Sequence, residues 1–185
     1  MDPGEETRVS KLPKQYQWLE QLDLLPKMVA AALPLVGIKE TAGPANTKEI
    51  MDWAAQTGLK SSYNADLTPW CGLFMAYVAK ISGKVVPNKP LWALNWAKFG
   101  QEGGQPELGD VLVFTRKEGG HVGLYIGEDK DCYHVLGGNQ SDSVCFTRIA
   151  KERLYAVRQP PYNNKPSTAK IYILSPDGEP SGNEA

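Results

Sequence analysis

The sequence predicts an α+β domain with N-terminal helices packed on a C-terminal antiparallel β-meander or half-barrel. Three observations carry that expectation. Apolar residues recur at helical spacing between Pro26 and Phe99, short β-rich runs replace them from Val111 onward, and glycine or charged turns separate those runs. Helices first and a meander second give segregated layers rather than alternating βαβ units.

Pro26 can open a first helix through Leu33, because a helix's first turn has no use for the missing N–H. Pro34 falls inside this apolar stretch and would kink it. A second helix is expected from Thr47 to Gln56, with Ile50, Trp53 and Ala54 on one face and Gly58 as its stop. The third has the clearest pattern: Thr68 as cap, Pro69 as opener, then Trp70, Leu73, Phe74, Tyr77, Val78 and Ile81 at helical spacing until Gly83. A shorter helix covers Leu91 to Phe99. Strands are expected at Val111–Thr115, Val122–Ile126, Cys132–Leu136, Val144–Ile149 and Leu154–Arg158. The chain of 185 residues thus divides into an extension (1–24), one central domain (25–162) and a flexible Pro/Ser/Gly/Asn-rich tail (163–185) with one possible strand at Lys170–Leu174.

The net charge of −1 argues against nucleic acid, or any anionic surface, as a partner held by bulk electrostatics. No secretory signal is visible in residues 1–24, and the apolar stretch 28–38 is too short to span a bilayer, so no membrane anchor is expected. A target outside the cytoplasm would then need a delivery system or cell lysis. Three cysteines, an odd number in a chain without a signal, favour free thiols.

Cys71 is the candidate nucleophile. A position about three residues into a capped helix places its sulfur near unsatisfied N–H groups and the positive end of the dipole, an environment that lowers a thiol pKa. Gly72 beside it leaves room for a substrate. His121 is the candidate base: it follows Gly119-Gly120 and opens a strand whose Val122, Leu124 and Ile126 alternate onto one face. A hairpin turning at Asp129-Lys130 would pair Glu128 with Asp131 and bring Asn139 within one residue of His121, or opposite it if a bulge intervenes. Asn139 then either orients the imidazole or serves only a Gly-Gly-Asn turn. Asp66 and Trp70, close before the thiol, are the candidate substrate contacts. Trp92 and Trp96, four apart on a helix, fit the core better than a sugar or peptide platform, and His134 reads as a structural or surface residue. Cys132, His134 and Cys145 match no closed four-ligand metal pattern.

Trp70-Cys71-Gly72-Leu73-Phe74, Gly109-Asp110-Val111-Leu112-Val113-Phe114 and Gly120-His121-Val122-Gly123-Leu124-Tyr125-Ile126-Gly127 resemble the CHAP and NlpC-type peptidoglycan hydrolases. The likeness covers about residues 25–160. It extends, in a phage and bacterial branch, to Gly37-Ile38-Lys39-Glu40 with Gly43-Pro44 and to Gly137-Gly138-Asn139-Gln140-Ser141. It implies a papain-like fold and hydrolysis of an amide in bacterial cell-wall peptides, at the sugar–peptide bond or within the stem peptide. It also implies Cys71 as nucleophile, His121 as base and Asn139 as orienting residue, without metal or organic cofactor. Where CHAP enzymes often carry a Glu two positions before that Asn, this chain has Gly137, so the set has three members or another acid contributes. Such an enzyme would serve as a phage lysin or an antibacterial effector, with peptidoglycan as partner and an immunity protein or delivery machinery as further ones. The rivals are a non-catalytic wall-peptide module and a Cys-His deamidase or transglutaminase acting on proteins.

Overall fold

The computed structural model describes residues 10–176, an α+β arrangement of short helices against one open six-stranded antiparallel sheet. The helices are α1 (Lys27–Ala32), α2 (Lys48–Gln56) and α3 (Cys71–Ile81), with 3-10 turns at Lys14–Gln21, Leu33–Leu35, Ala93–Lys98 and Lys151–Arg153. The strands are β1 (Gln101–Glu102), β2 (Val111–Thr115), β3 (Gly120–Glu128), β4 (Cys132–Gln140), β5 (Ser143–Ala150) and β6 (Leu154–Gln159), in the order β1-β6-β2-β3-β4-β5. The meander β2 to β5 is as expected, and β6 returns to the free side of β2. Among the described residues no helix is long and apolar enough to cross a membrane.

Pro26 caps α1 and Pro34 lies in the 3-10 turn that follows, so the proline ends the helix rather than kinking it. Helix α3 is the hub of the core. Leu73, Phe74, Met75, Ala76, Val78 and Ala79 are buried in one cluster with Val122, Leu124 and Ile126 of β3 and Leu136 of β4. The alternation along β3 therefore sorts its apolar residues as predicted. A smaller cluster of Leu112, Phe114, Tyr125, Val135 and Ile149 occupies the opposite face of the sheet.

The β3–β4 turn is wider than the sequence suggests, with Glu128 opposite Tyr133 rather than Asp131. The cause is Asp129, which turns inward instead of into solvent. Its Oδ1 accepts the N–H groups of Asp131 (3.0 Å) and Cys132 (3.1 Å), while its Oδ2 accepts Arg148 Nε (2.7 Å) and meets His134 Nε2 (2.9 Å). His134 Nδ1 in turn meets the Tyr16 hydroxyl at 2.6 Å, and the Tyr16 ring stacks on Phe146 at 3.9 Å between centroids. A buried Tyr–His–Asp–Arg chain thereby fastens the N-terminal 3-10 turn to β4 and β5.

Both flanks are packed. Leu19 is fully buried in the main core cluster, within the stretch expected as an extension. At the other end Leu174 N–H donates to the Glu128 carbonyl, Glu128 N–H donates to the Tyr172 carbonyl, and the Tyr172 ring meets Trp18 at 4.6 Å. The stretch expected as a flexible tail therefore begins with a strap along the end of β3, while residues 177–185, like residues 1–9, lie outside the described region.

Two outcomes follow for stability. Tyr16→Phe removes the hydroxyl from the His134 ring and should lower unfolding free energy by about 1–3 kcal/mol, read from urea denaturation. For Asp129, burial pushes the carboxyl up, but the hydrogen bonds from Arg148, His134 and two backbone amides outweigh it and hold it well below the ordinary range. A depressed folded pKa contributes stability above the unfolded value of about 3.9, and that contribution is lost as pH falls toward the folded value. Denaturation midpoints should drop below about pH 4, and Asp129→Asn should flatten that acid limb.

Candidate active site

Helix α3 starts two residues later than the Thr68 cap implies. Trp70, at φ −121° and ψ 17°, is the cap residue, and Cys71 is the first helical residue. Thr68 belongs to the preceding turn: its N–H donates to the Ala65 carbonyl and its own carbonyl accepts the Tyr63 hydroxyl. No side chain caps the helix, so its first N–H groups remain open to other partners. The amides of Cys71 and Gly72, together with that of Val122 at the start of β3, reach the Cys71 sulfur. The nucleophile candidate thus lies beside the residue that follows His121. At Gly72 a Cβ would stand 2.2 Å from the Pro90 carbonyl oxygen, so the 90–91 segment can rest on the helix terminus only if that residue is glycine.

The partner of His121 is Gln140, whose Oε1 lies 2.9 Å from Nε2. Gln140 Nε2 donates to the carbonyls of Cys145 (2.5 Å) and Val135 (3.3 Å). With its NH2 committed to two carbonyls, the amide presents oxygen to the ring, so His121 Nε2 must carry the proton. In the neutral ring Nδ1 is then the basic nitrogen. The side chain that meets the His121 ring is therefore Gln140, one position beyond the Asn139 expected there. Asn139 adopts φ +56° at a bulge between β4 and β5, a left-handed conformation that asparagine tolerates better than most residues. That bulge breaks strand alternation and delivers the next side chain to the histidine. Gly137 completes the arrangement, because a Cβ there would lie 2.7 Å from Gln140 Oε1 and 3.3 Å from His121 Nε2. The glycine found where a Glu was expected clears the space the pair occupies. It is also the one sequence signal that pointed beyond Asn139.

Burial decides the state of the thiol. Cys71 is 4% exposed and His121 fully buried. Desolvation pushes the Cys71 thiol up, and the pull of the Arg116 charge and of the Val122, Gly72 and Cys71 amides falls short of reversing it. The expectation that a helix N-terminus would lower this pKa is overturned, since the helix end lies under other chain segments rather than in water.

Asp66 and Trp70 are rivets, not substrate contacts. Asp66 is fully buried and its Oδ2 accepts the Thr47 N–H at 2.6 Å, which ties the 66 loop to the start of α2. Trp70 is also fully buried, packs against Trp53 at 6.0 Å and donates from Nε1 to Glu40 at 2.8 Å. The paired tryptophans part company: Trp96 is buried with Nε1 on the Pro90 carbonyl, whereas Trp92 is 72% exposed. The 3-10 geometry of Ala93–Lys98 breaks the four-residue spacing that would have put them on one face. His134 has both ring nitrogens engaged in the Tyr16–Asp129 chain, as a structural histidine would. All three cysteines are free, and among the described residues no three His, Cys, Asp or Glu side chains gather as metal ligands. No family model and no curated protein matches the chain.

Gly137→Ala should break the His121–Gln140 contact without unfolding the protein. Its proton NMR spectrum should lose the exchange-protected His121 Nε2–H signal while far-ultraviolet circular dichroism is retained. An unchanged signal would mean that the ring is held by something other than Gln140. In peptide-mapped alkylation of the wild type, half-buried Cys145 should react ahead of Cys71 at neutral pH, and the Cys71 rate should keep rising past the ordinary thiol pKa of about 8.5.

Proposed function

We propose that this protein is a papain-like cysteine hydrolase that cleaves an amide bond in bacterial cell-wall peptides. One observation carries the reading: Gln140 fixes the His121 tautomer so that Nδ1 is the basic nitrogen, and the amide of the next residue, Val122, reaches the sulfur of Cys71 at the first residue of α3. The order of motifs in the sequence supplies the substrate class.

The chemistry follows the protonation states. With its pKa raised, Cys71 rests as a thiol. His121 Nδ1 accepts the thiol proton as sulfur attacks the amide carbonyl, so the pair works by general-base catalysis rather than as a preformed ion pair. The N–H groups at the start of α3 receive the developing oxyanion. Protonated His121 then gives its proton to the departing amine, and a water activated by the same nitrogen hydrolyses the thioester. Gln140 keeps the ring aligned through both transfers. No step requires a metal. The protein would meet its substrate in the wall or periplasm after delivery or lysis.

One observation favours the non-catalytic rival, a module that holds wall peptide. The pair is almost wholly buried, and the Leu91–Leu94 segment lies over both Gly72 and Gly120. The hydrolase reading requires that segment to yield when substrate enters.

Mass spectrometry of fragments released from purified peptidoglycan separates the two readings and names the bond cleaved. The wild type should release peptide fragments and Cys71→Ala none. His121→Ala should lose about 10²- to 10⁴-fold in rate, the usual contribution of a general base, and Gln140→Ala should lose less. Activity should survive EDTA and disappear on thiol alkylation. Binding to peptidoglycan without fragments would establish the module instead.

A further inference from the structure

We propose that Arg116 is a carboxylate-binding residue beside this site, selecting peptide amides that carry a free carboxylate near the scissile bond. For the substrate the inference rests on the hydrolase reading; for the anion site it stands on geometry.

Arg116 lies in the β2–β3 turn, where its N–H donates to the Gly119 carbonyl at 3.1 Å. The last pair of that ladder is Thr115 with Gly120, and the pair before it holds His121. Arg116 is therefore two steps along the hairpin from the candidate base. Its side-chain Nε is buried and has no hydrogen-bond partner among the described residues. An unsatisfied charged donor of this kind is unfavourable unless something accepts from it. The guanidinium borders a surface depression of about 540 Å³ lined by Lys117, Glu118 and Arg153. Arg153 is anchored there by its Nε on the Thr115 carbonyl, at 3.2 Å. Among the described residues lining it, the cations Arg116, Lys117 and Arg153 meet one carboxylate, that of Glu118. The Arg116 charge also pulls the Cys71 thiol down, against the larger effect of its burial.

A planar guanidinium with open donors matches the two oxygens of a carboxylate better than any other side chain does. A carboxylate bound there would lie a short distance from the sulfur, so its owner would present a neighbouring carbonyl to attack. A neutral amide gains nothing from this corner, and a cationic peptide is repelled by it.

Iodoacetate and iodoacetamide test this directly, because each transfers a two-carbon group to sulfur with loss of iodide and they differ only in carrying a carboxylate or an amide. Rates at Cys71 are read by peptide mapping, normalised to glutathione, with Cys145 as internal control. The wild type should favour iodoacetate at Cys71 by about tenfold, within what a single cation contributes. Arg116→Gln should bring the ratio to that of the free thiol, and Arg116→Lys should keep part of it, with thermal unfolding showing that both variants are folded. The same ratio in wild type and Arg116→Gln overturns the proposal. So does a Cys71 that neither reagent labels, since no carboxylate could then be held beside it. Cleavage assays separate this failure from that of the hydrolase reading. A preserved alkylation ratio with no cleavage of wall peptides sinks only the hydrolase, whereas equal cleavage of a peptide and its carboxamide analogue sinks only the role of Arg116.

Discussion

The close approach of α3 to β4 at Gly138 governs the geometry of everything around it. A Cβ at that position would lie 2.5 Å from Phe74 Cβ and 2.8 Å from the Trp70 ring, so the helix touches strand backbone with no side chain between them. The contact sets the height of the α3 terminus over the sheet and lets the Cys71 sulfur meet the Val122 amide. Gly137, its neighbour, makes the room in which His121 and Gln140 meet. Two adjacent glycines in one strand thus serve a packing contact and a polar pair. Since glycine weakens a strand, such a pair needs a reason of this sort.

The same tight packing determines the chemistry open to the thiol. A helix terminus exposed to water would tip Cys71 toward thiolate. Here the 90–91 segment closes over Gly72, and the desolvation penalty on an anion exceeds what three amides and one guanidinium return. Position at a helix N-terminus and burial are opposing effects of similar origin, because both come from placing the residue where backbone is dense. Burial wins at Cys71. A nucleophile in such a site is generated when its proton moves to a base, not before.

Much of the fold was legible in the sequence, because its periodicities are driven by burial. Val122, Leu124 and Ile126 sort onto the helix side as alternation requires, and α2 and α3 end near the glycines that stop them. The misreadings fall where a polar residue does something its local context does not announce. Asp129 looks like a turn residue but is a buried acceptor of four hydrogen bonds, and this widens the hairpin. Thr68 and Pro69 look like a helix start, yet the Trp70 indole is buried with Nε1 on Glu40, and the helix waits for Cys71. Cys71 and His121 each carry a local cue in the sequence. Gln140 carries none, because its role depends on a left-handed Asn139 that changes which face the next side chain takes. The packed flanks were missed for a related reason: Tyr16 and Tyr172 act through distant partners in composition that reads as linker.

The two histidines of the chain show how a partner's charge assigns a role. His134 sits between a tyrosine hydroxyl and the Asp129 carboxylate, which Arg148 also holds. Held through both ring nitrogens, His134 suits a fastening point. His121 instead faces the uncharged carbonyl of an amide whose own NH2 is spent on the Val135 and Cys145 carbonyls. An amide oxygen fixes the ring and its tautomer without drawing a second proton onto it. Replacing Gln140 by a carboxylate would change that balance and push His121 toward the imidazolium. It would also bury a further negative charge without a cation beside it. The neutral partner and the raised thiol pKa are therefore consistent parts of one arrangement: a buried thiol kept uncharged at rest, and an imidazole held by an uncharged amide.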